Sequence, residues 1–171
     1  HKHWSPFEMV NMCVEINTTR SISAQILRHR SFSFQEFSQR YASVEELELP
    51  SPPELRLQDL KNRQNSFEAD EMDTLNWQAS IQLHYAKCYK LYKNLLKEGI
   101  AKECARDVLP MGSPTRLYMN GTLRSWIHYV DLRTSNGTQK EHRNIAIACK
   151  QLIQTQFPLT YEVISGYSCS I

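Results

Sequence analysis

The chain has 171 residues, 41% of them hydrophobic and 22% charged, with a formal net charge of +2. A domain of this length buries about 70% of its extended surface, so a real core is available. So small a net charge argues against a protein whose main task is gripping polymeric DNA or RNA, and no apolar run reaches the ~18 residues of a membrane-spanning helix.

The chain opens at His1, without a start methionine and without a signal-peptide pattern, and runs almost at once into a strand-like stretch. Residues 9–18 alternate, with Val10, Met12, Val14 and Ile16 on one side and Asn11, Glu15 and Asn17 on the other, which predicts a half-buried strand. Ser21 or Ser23 can cap a short helix through Leu27 that presents Arg28, His29 and Arg30 at its C-terminal end, where the helix dipole favours cations. Residues 31–41 read as loop or extended chain. Residues 44–72 are polar and marked by Pro50, Pro52 and Pro53, an excursion expected to be helical around 53–61.

A long helix is predicted over about 73–98, with Trp77, Ile81, Tyr85, Cys88, Tyr92 and Leu95 as its apolar seam and Gly99 as its stop. A second, about 101–109, buries Ala101, Cys104, Ala105, Val108 and Leu109 before Pro110. Residues 116–120 suggest a strand. A helix over about 121–133 carries the stripe Leu123, Trp126, Ile127 and Val130 opposite Arg124 and His128, and a last helix, about 138–157, packs through Ile145, Cys149, Leu152 and Ile153. Helices with at least two strands give an α+β class: mixed helices around an antiparallel sheet.

Cys13, Cys88, Cys104, Cys149 and Cys169 are odd in number and none is spaced for a metal knuckle. Reduced thiols, no metal site and a cytoplasmic location (a host cytoplasm if the source is viral) are the expectation. None of these cysteines reads as a nucleophile, because buried thiols are inert. With five glycines, no Gly-x-Gly-x-x-Gly and no P-loop, any dinucleotide is held by something other than a Rossmann turn.

The densest chemistry lies in Arg28-His29-Arg30-Ser31-Phe32-Ser33-Phe34-Gln35-Glu36-Phe37-Ser38-Gln39-Arg40-Tyr41. Arginine forks grip phosphates and nucleobase edges, and hydroxyls with loop N–H groups complete an anion nest. Arg-His-Arg, seven residues, then Ser resembles the signature of the flavin-dependent thymidylate synthases. His3-Trp4-Ser5-Pro6-Phe7-Glu8 resembles the family's His-x-Ser/Thr-Pro-Phe-Glu segment with one residue added. Ala105-Arg106-Asp107-Val108-Leu109-Pro110, Leu123-Arg124-Ser125-Trp126 and Asp131-Leu132-Arg133 resemble three further family segments, in family order.

The resemblance implies a single domain over 1–171 that lacks the family's N-terminal strands, and a homotetramer with shared active sites. It implies reductive methylation of dUMP to dTMP, with FAD as cofactor and NADPH and methylenetetrahydrofolate as co-substrates. Gln25, Arg28, Arg106 and Arg133 would contact dUMP, and Glu36, Ser38, Gln39 and Arg40 would do so in a neighbouring subunit. Arg133 would be catalytic, favouring ionisation of the uracil at N3; a permanently charged guanidinium stabilises a developing anion without losing its proton. Ser5, Arg28, His29, Arg30, Glu36, Thr122, Arg124 and His128 would hold FAD, with Thr122 standing where the family often has asparagine. His3 and Tyr41 would touch folate. Two other readings remain open on the residues: a flavin- or nucleotide-binding relative altered in catalysis and acting on another uracil nucleotide, and a nucleic-acid-binding module using the arginines with Phe32, Phe34 and Tyr41, which the near-neutral charge disfavours.

Overall fold

The structure is a computed structural model that describes residues 3–42 and 50–160. Residues 44–49 of the proline-marked excursion, and Cys169, lie outside the described residues. The class is α+β, helices combined with antiparallel strand pairing, as the sequence predicts. The chain forms two compact units, one of residues 1–13, 29–33 and 120–171, the other of 14–28 and 34–119.

The second unit is built on a three-stranded sheet. Strand β1 (Asn11–Thr19) enters it, turns into helix α1 (Arg20–Ile26), and strand β2 (Ser33–Glu36) follows. The central strand arrives much later in the chain, so the order is β1, the 114–122 strand, β2. The predicted alternation holds in β1: Asn11, Cys13, Glu15 and Asn17 face out, while Ile16 is buried. Val10 lies just outside the strand and is 37% exposed.

Helix α1 begins without the predicted serine cap. Thr19 occupies the cap position and its side chain makes no cap bond. The first helical amides find partners elsewhere: Arg20 N–H donates to the Ser113 carbonyl (2.9 Å) and Ser21 N–H to that of Met111 (3.1 Å). Open N–H groups at a helix start need such acceptors, and these two bonds fix α1 against the 111–113 turn.

The stretch predicted as helical around 53–61 is instead a hairpin. Strands β3 (Arg56–Gln58) and β4 (Ser66–Glu68) pair antiparallel, Leu57 opposite Phe67. The link between them is rich in Asp and Asn, and Asp59 Oδ1 accepts from the N–H groups of Lys61 (2.8 Å) and Asn62 (3.0 Å). Such side chains satisfy turn amides more readily than a helix would.

Helix α2 (Glu71–Lys97) is capped by Asp70, whose carboxylate accepts from Met72 N–H at 2.9 Å, and it stops at Gly99, which sits at φ +79°. Its predicted seam is buried only in the C-terminal half. There Tyr89 and Tyr92 pack with Ala105, Leu95, Leu96, Val108 and Leu109, whereas Trp77 is 67% exposed. The helix predicted over 101–109 is shorter: α3 (Lys102–Ala105) gives way to a 3-10 turn at Arg106–Val108, and Ala101 and Cys104 are exposed. A helix that short presents one buried position, Ala105, rather than a stripe.

Strand β5 (Pro114–Thr122) is the central strand and alternates strictly, burying Thr115, Leu117, Met119 and Gly121. It runs into the first unit, where helices α4 (Leu123–Arg133) and α5 (Lys140–Gln156) pack on each other and α4 meets a 3-10 turn at Ser5–Glu8. Its core is Phe32, Leu123, Trp126, Ile127, Tyr129, Val130, His142, Ala146, Cys149 and Ile153. Leu152, predicted to be buried, is 40% exposed, and the α5 stripe instead runs through His142, Ala146, Cys149 and Ile153. Among the described residues no helix is long and apolar enough to cross a membrane.

Candidate functional site

The second unit holds a cleft of about 280 Å³ lined by Arg20, Gln39, Arg106, Asp107, Leu109, Pro110 and Met111. Two guanidinium groups thus share one small volume. Arg106 comes from the 3-10 turn, its Nε donating to the Glu103 carbonyl at 3.3 Å. Arg20 comes from the first turn of α1, which its backbone bonds hold against the 111–113 turn. Gln39 is 4% exposed, and its buried amide Nε2 finds no hydrogen-bond partner among the described residues. A buried donor without an acceptor costs ~1–3 kcal/mol, which an oxygen of a ligand in this cleft would recover.

Glu36 sets the position of Arg20. Its Oε1 accepts from the hydroxyls of Ser23 (2.7 Å) and Thr115 (3.0 Å) and stands 3.8 Å from Arg20 Nη1. Of the predicted nucleotide residues, Gln39 and Arg106 are brought together. Ser38 uses its carbonyl to accept from the N–H groups of Tyr41 and Ala42. Arg40 pairs with Glu103 at 3.6 Å, and its guanidinium lies 5.4 Å from the Tyr41 ring centre. Arg28 is exposed beyond α1 and Gln25 half-buried within it. Tyr41 is 75% exposed.

The first unit holds a larger cleft, about 610 Å³, lined by Trp4, Glu8, Ser31, Arg124, Ser125, Ile127, His128 and Asp131. That volume is in the ~300–1,000 Å³ range of small-molecule sites. Arg124 is ion-paired with Glu8. Thr122 caps α4, its hydroxyl oxygen accepting from Ser125 N–H at 3.3 Å. The cap aims the first two turns of α4, so Arg124 and His128 share the cleft. His3 and Ser5 are exposed near the 3-10 turn, and Arg30 is exposed beside Ser31. An indole, two hydroxyls, a guanidinium and an imidazole line this volume beside the carboxylates of Glu8 and Asp131, a set able to stack on a ring and hydrogen-bond a polar ligand.

His29 and Arg133 are joined directly, Arg133 Nε donating to His29 Nε2 at 2.9 Å. Burial, with help from the positive charge of Arg133 and from His128, pushes the His29 imidazole down to about 4, so it is neutral at pH 7. Arg20, Thr115, Tyr129 and His142 were not singled out by sequence. Arg20 had a signal, a cation at the point where an alternating strand ends in Thr18-Thr19. His142 had one too, a lone histidine in register with Ala146, Cys149 and Ile153.

The fold is that of an α+β protein, and each of its two units carries a guanidinium-bearing cleft able to hold an anionic ligand. A family profile described as thymidylate synthase complementing protein matches residues 1–159. The chain is 56% identical over 159 residues to a probable flavin-dependent thymidylate synthase of Paramecium bursaria Chlorella virus 1, covering 92% of this chain and 73% of the relative. It is 52% identical over 160 residues to the flavin-dependent thymidylate synthase of Synechocystis sp. PCC 6803, covering 91% and 72%. The crystal structure of a UMP/dUMP methylase, PolB from Streptomyces cacaoi, bound with 5-Br UMP, superposes with a TM-score of 0.86 at 27% identity, over 97% of this chain and 78% of that one. The chain belongs to the flavin-dependent thymidylate synthase family.

Proposed function

We propose that the chain is a flavin-dependent thymidylate synthase, an FAD-dependent methyltransferase that converts dUMP to dTMP with methylenetetrahydrofolate as carbon source and NADPH as reductant. The observation that carries this reading is the cleft of the second unit. Arg106 and Gln39, the latter assigned by the resemblance to dUMP in a neighbouring subunit, line it together with Arg20, and the Gln39 amide is buried without an acceptor among the described residues. In this reading Arg20 and Arg106 neutralise the nucleotide phosphate. Glu36 aligns Arg20, and Glu36, Ser38, Gln39 and Arg40 together would serve dUMP in a neighbouring subunit, as the resemblance implies. Arg133 stabilises negative charge as the uracil ionises at N3, keeping its own proton throughout.

The first-unit cleft would hold FAD, with Arg124, His128 and Ser31 as polar contacts and Trp4 as an apolar wall. Flavin bound there supplies the reducing hydride. His3 and Tyr41 would face folate. A homotetramer is favoured by the exposed apolar side chains of α2, where Met72, Leu75, Trp77 and Leu83 are half-exposed or more. A cytoplasmic site of action (host cytoplasm for a viral source) suits Cys13, Cys88, Cys104 and Cys149, all of them free thiols.

A second reading, action on another uracil nucleotide, is favoured by the neighbour that methylates UMP as well as dUMP. Full-length protein should show a flavin spectrum between about 350 and 500 nm after addition of FAD, and tritium release from [5-³H]dUMP that requires NADPH and methylenetetrahydrofolate. Arg133→Ala should cut turnover ~10²–10³-fold, the scale of losing one aimed charge stabiliser. Release from UMP equal to that from dUMP would favour the second reading. No flavin binding and no release from either nucleotide would sink both.

A further inference from the structure

Arg133 is held from behind by a chain of groups, half-buried at His29 and fully buried at Tyr129 and His142, that the reaction itself does not call for. Its Nε–H must donate, since a guanidinium stays protonated, so His29 Nε2, 2.9 Å away, must offer a lone pair. That fixes the His29 tautomer with its proton on Nδ1. It commits one edge of the guanidinium to the protein and orients the Nη groups.

The ring of His29 is in turn fixed by Tyr129, edge-on with centroids 4.9 Å apart and planes at 83°. Phe32 stands edge-on from another side at 6.4 Å. Tyr129 does not rest on apolar packing alone. Its hydroxyl is 3.1 Å from Nε2 of His142, a residue of α5 with no exposed surface. The His142 ring also lies edge-on to His29, centroids 6.2 Å apart. Two apolar side chains would fill this volume without the cost of burying a hydroxyl and an imidazole. What the polar pair adds is direction, because a hydrogen bond fixes the tilt of the Tyr129 ring while dispersion contacts leave it loose.

We propose that Tyr129 and His142 are positioning residues for Arg133, acting through His29: their mutual hydrogen bond holds the His29 imidazole in the tautomer and orientation that accept from Arg133 Nε. This rests on the reading of Arg133 as the residue that faces the uracil ring. The groups facing His29 are Arg133 and His128 of α4 and His142 of α5. Those facing Tyr129 include Cys149 of α5 and Arg133. Burial, then Arg133 and His29, push His142 down to about 4, and burial pushes the Tyr129 phenol up, so all three of His29, His142 and Tyr129 are neutral near pH 7. A charged imidazole at His29 would break the arrangement, setting N–H against N–H at Arg133.

Imidazole ¹⁵N spectra of full-length, histidine-labelled protein read the tautomer without any need for turnover. For the wild type they should show His29 with an unprotonated Nε2 and a protonated Nδ1 at pH 7 and at pH 5.5. Tyr129→Phe keeps the ring and loses the hydroxyl; His142→Leu loses the partner. Both should turn the single His29 tautomer into a mixture and lower kcat about tenfold, the scale for removing an outer partner of a functional group, with KM for dUMP moving less than about twofold. His142→Gln, which returns an amide to the place of Nε2, should recover the single tautomer and most of the rate. If both disruptive variants keep the wild-type His29 spectrum and rate, or if wild-type His29 carries its proton on Nε2, the proposal is overturned. A tautomer that responds as described in a protein with no methylation of dUMP would instead overturn the functional reading and leave the positioning chain standing.

Discussion

Gly121 shows how tightly the first unit is packed around His29. A Cβ at this position would come within 2.5 Å and 2.8 Å of two carbons of the Phe32 ring. That ring has nowhere to retreat, since it stands edge-on to Trp126 at 4.9 Å and to Tyr129 at 6.0 Å. Gly121→Ala is therefore expected to destabilise the protein by ~1–3 kcal/mol, read as a lower urea midpoint at unchanged slope. Thr122, next in the chain, illustrates what sequence could and could not convey. The motif resemblance places it at the flavin site, but only the coordinates show its hydroxyl capping α4. Asparagine, which the family often carries there, is an equally good cap, so helix capping accounts for the exchange without reference to flavin. The register of His142 with Ala146, Cys149 and Ile153 signals burial but not a role; its meaning comes from Tyr129, thirteen positions away in sequence and 3.1 Å away in space.

Elements with a strong period were legible and elements defined by distant partners were not. Strand β1 and helices α4 and α5 follow their apolar spacing to within a few residues. The β3–β4 hairpin was missed because its strands are three residues each and mostly exposed, so alternation has no length in which to appear. Helix α2 was legible in extent but not in burial. The aromatic spacing marks a seam, yet the N-terminal half leaves Trp77 67% and Leu83 58% exposed. Apolar surface of this kind on a long helix suits association with other copies of the chain. The double variant Trp77→Asp, Leu83→Asp is expected to lower the mass measured by light scattering while leaving the helical circular dichroism in place. An unchanged mass would remove this side of α2 from the assembly.

For the molecule as a whole, the clearest consequence of the half-buried His29 and the buried His142 is a stability that depends on pH. Folded, His29 and His142 ionise at about 4; unfolded, they return to the ordinary 6.5. Above 6.5 neither state takes up the protons. Between 6.5 and 4 the unfolded chain binds protons that the folded one refuses, so stability falls as pH falls through this window and levels off below it. The melting temperature should accordingly drop between pH 7 and pH 5, and His142→Gln should flatten part of that slope. A profile as steep in the variant as in the wild type would assign the loss to other groups. The clefts were legible in kind, because the Arg28–Tyr41 run and the downstream arginine motifs name residues that line them. Their membership was not, because Arg20 and Glu36 meet only after the strands between them have paired.

Cys149 gives the same packing a kinetic reading. Its thiol is 2% exposed and burial pushes it up to about 12, while Cys13 and Cys104 are exposed. An alkylating reagent needs a thiolate it can reach, so Cys13 and Cys104 should react first. Cys149 should react only when α4 and α5 separate. The rate at which it acquires label in native buffer, compared with its rate in urea, therefore measures how often that helix pair opens. It turns a silent core residue into a clock for the breathing of the scaffold behind Arg133.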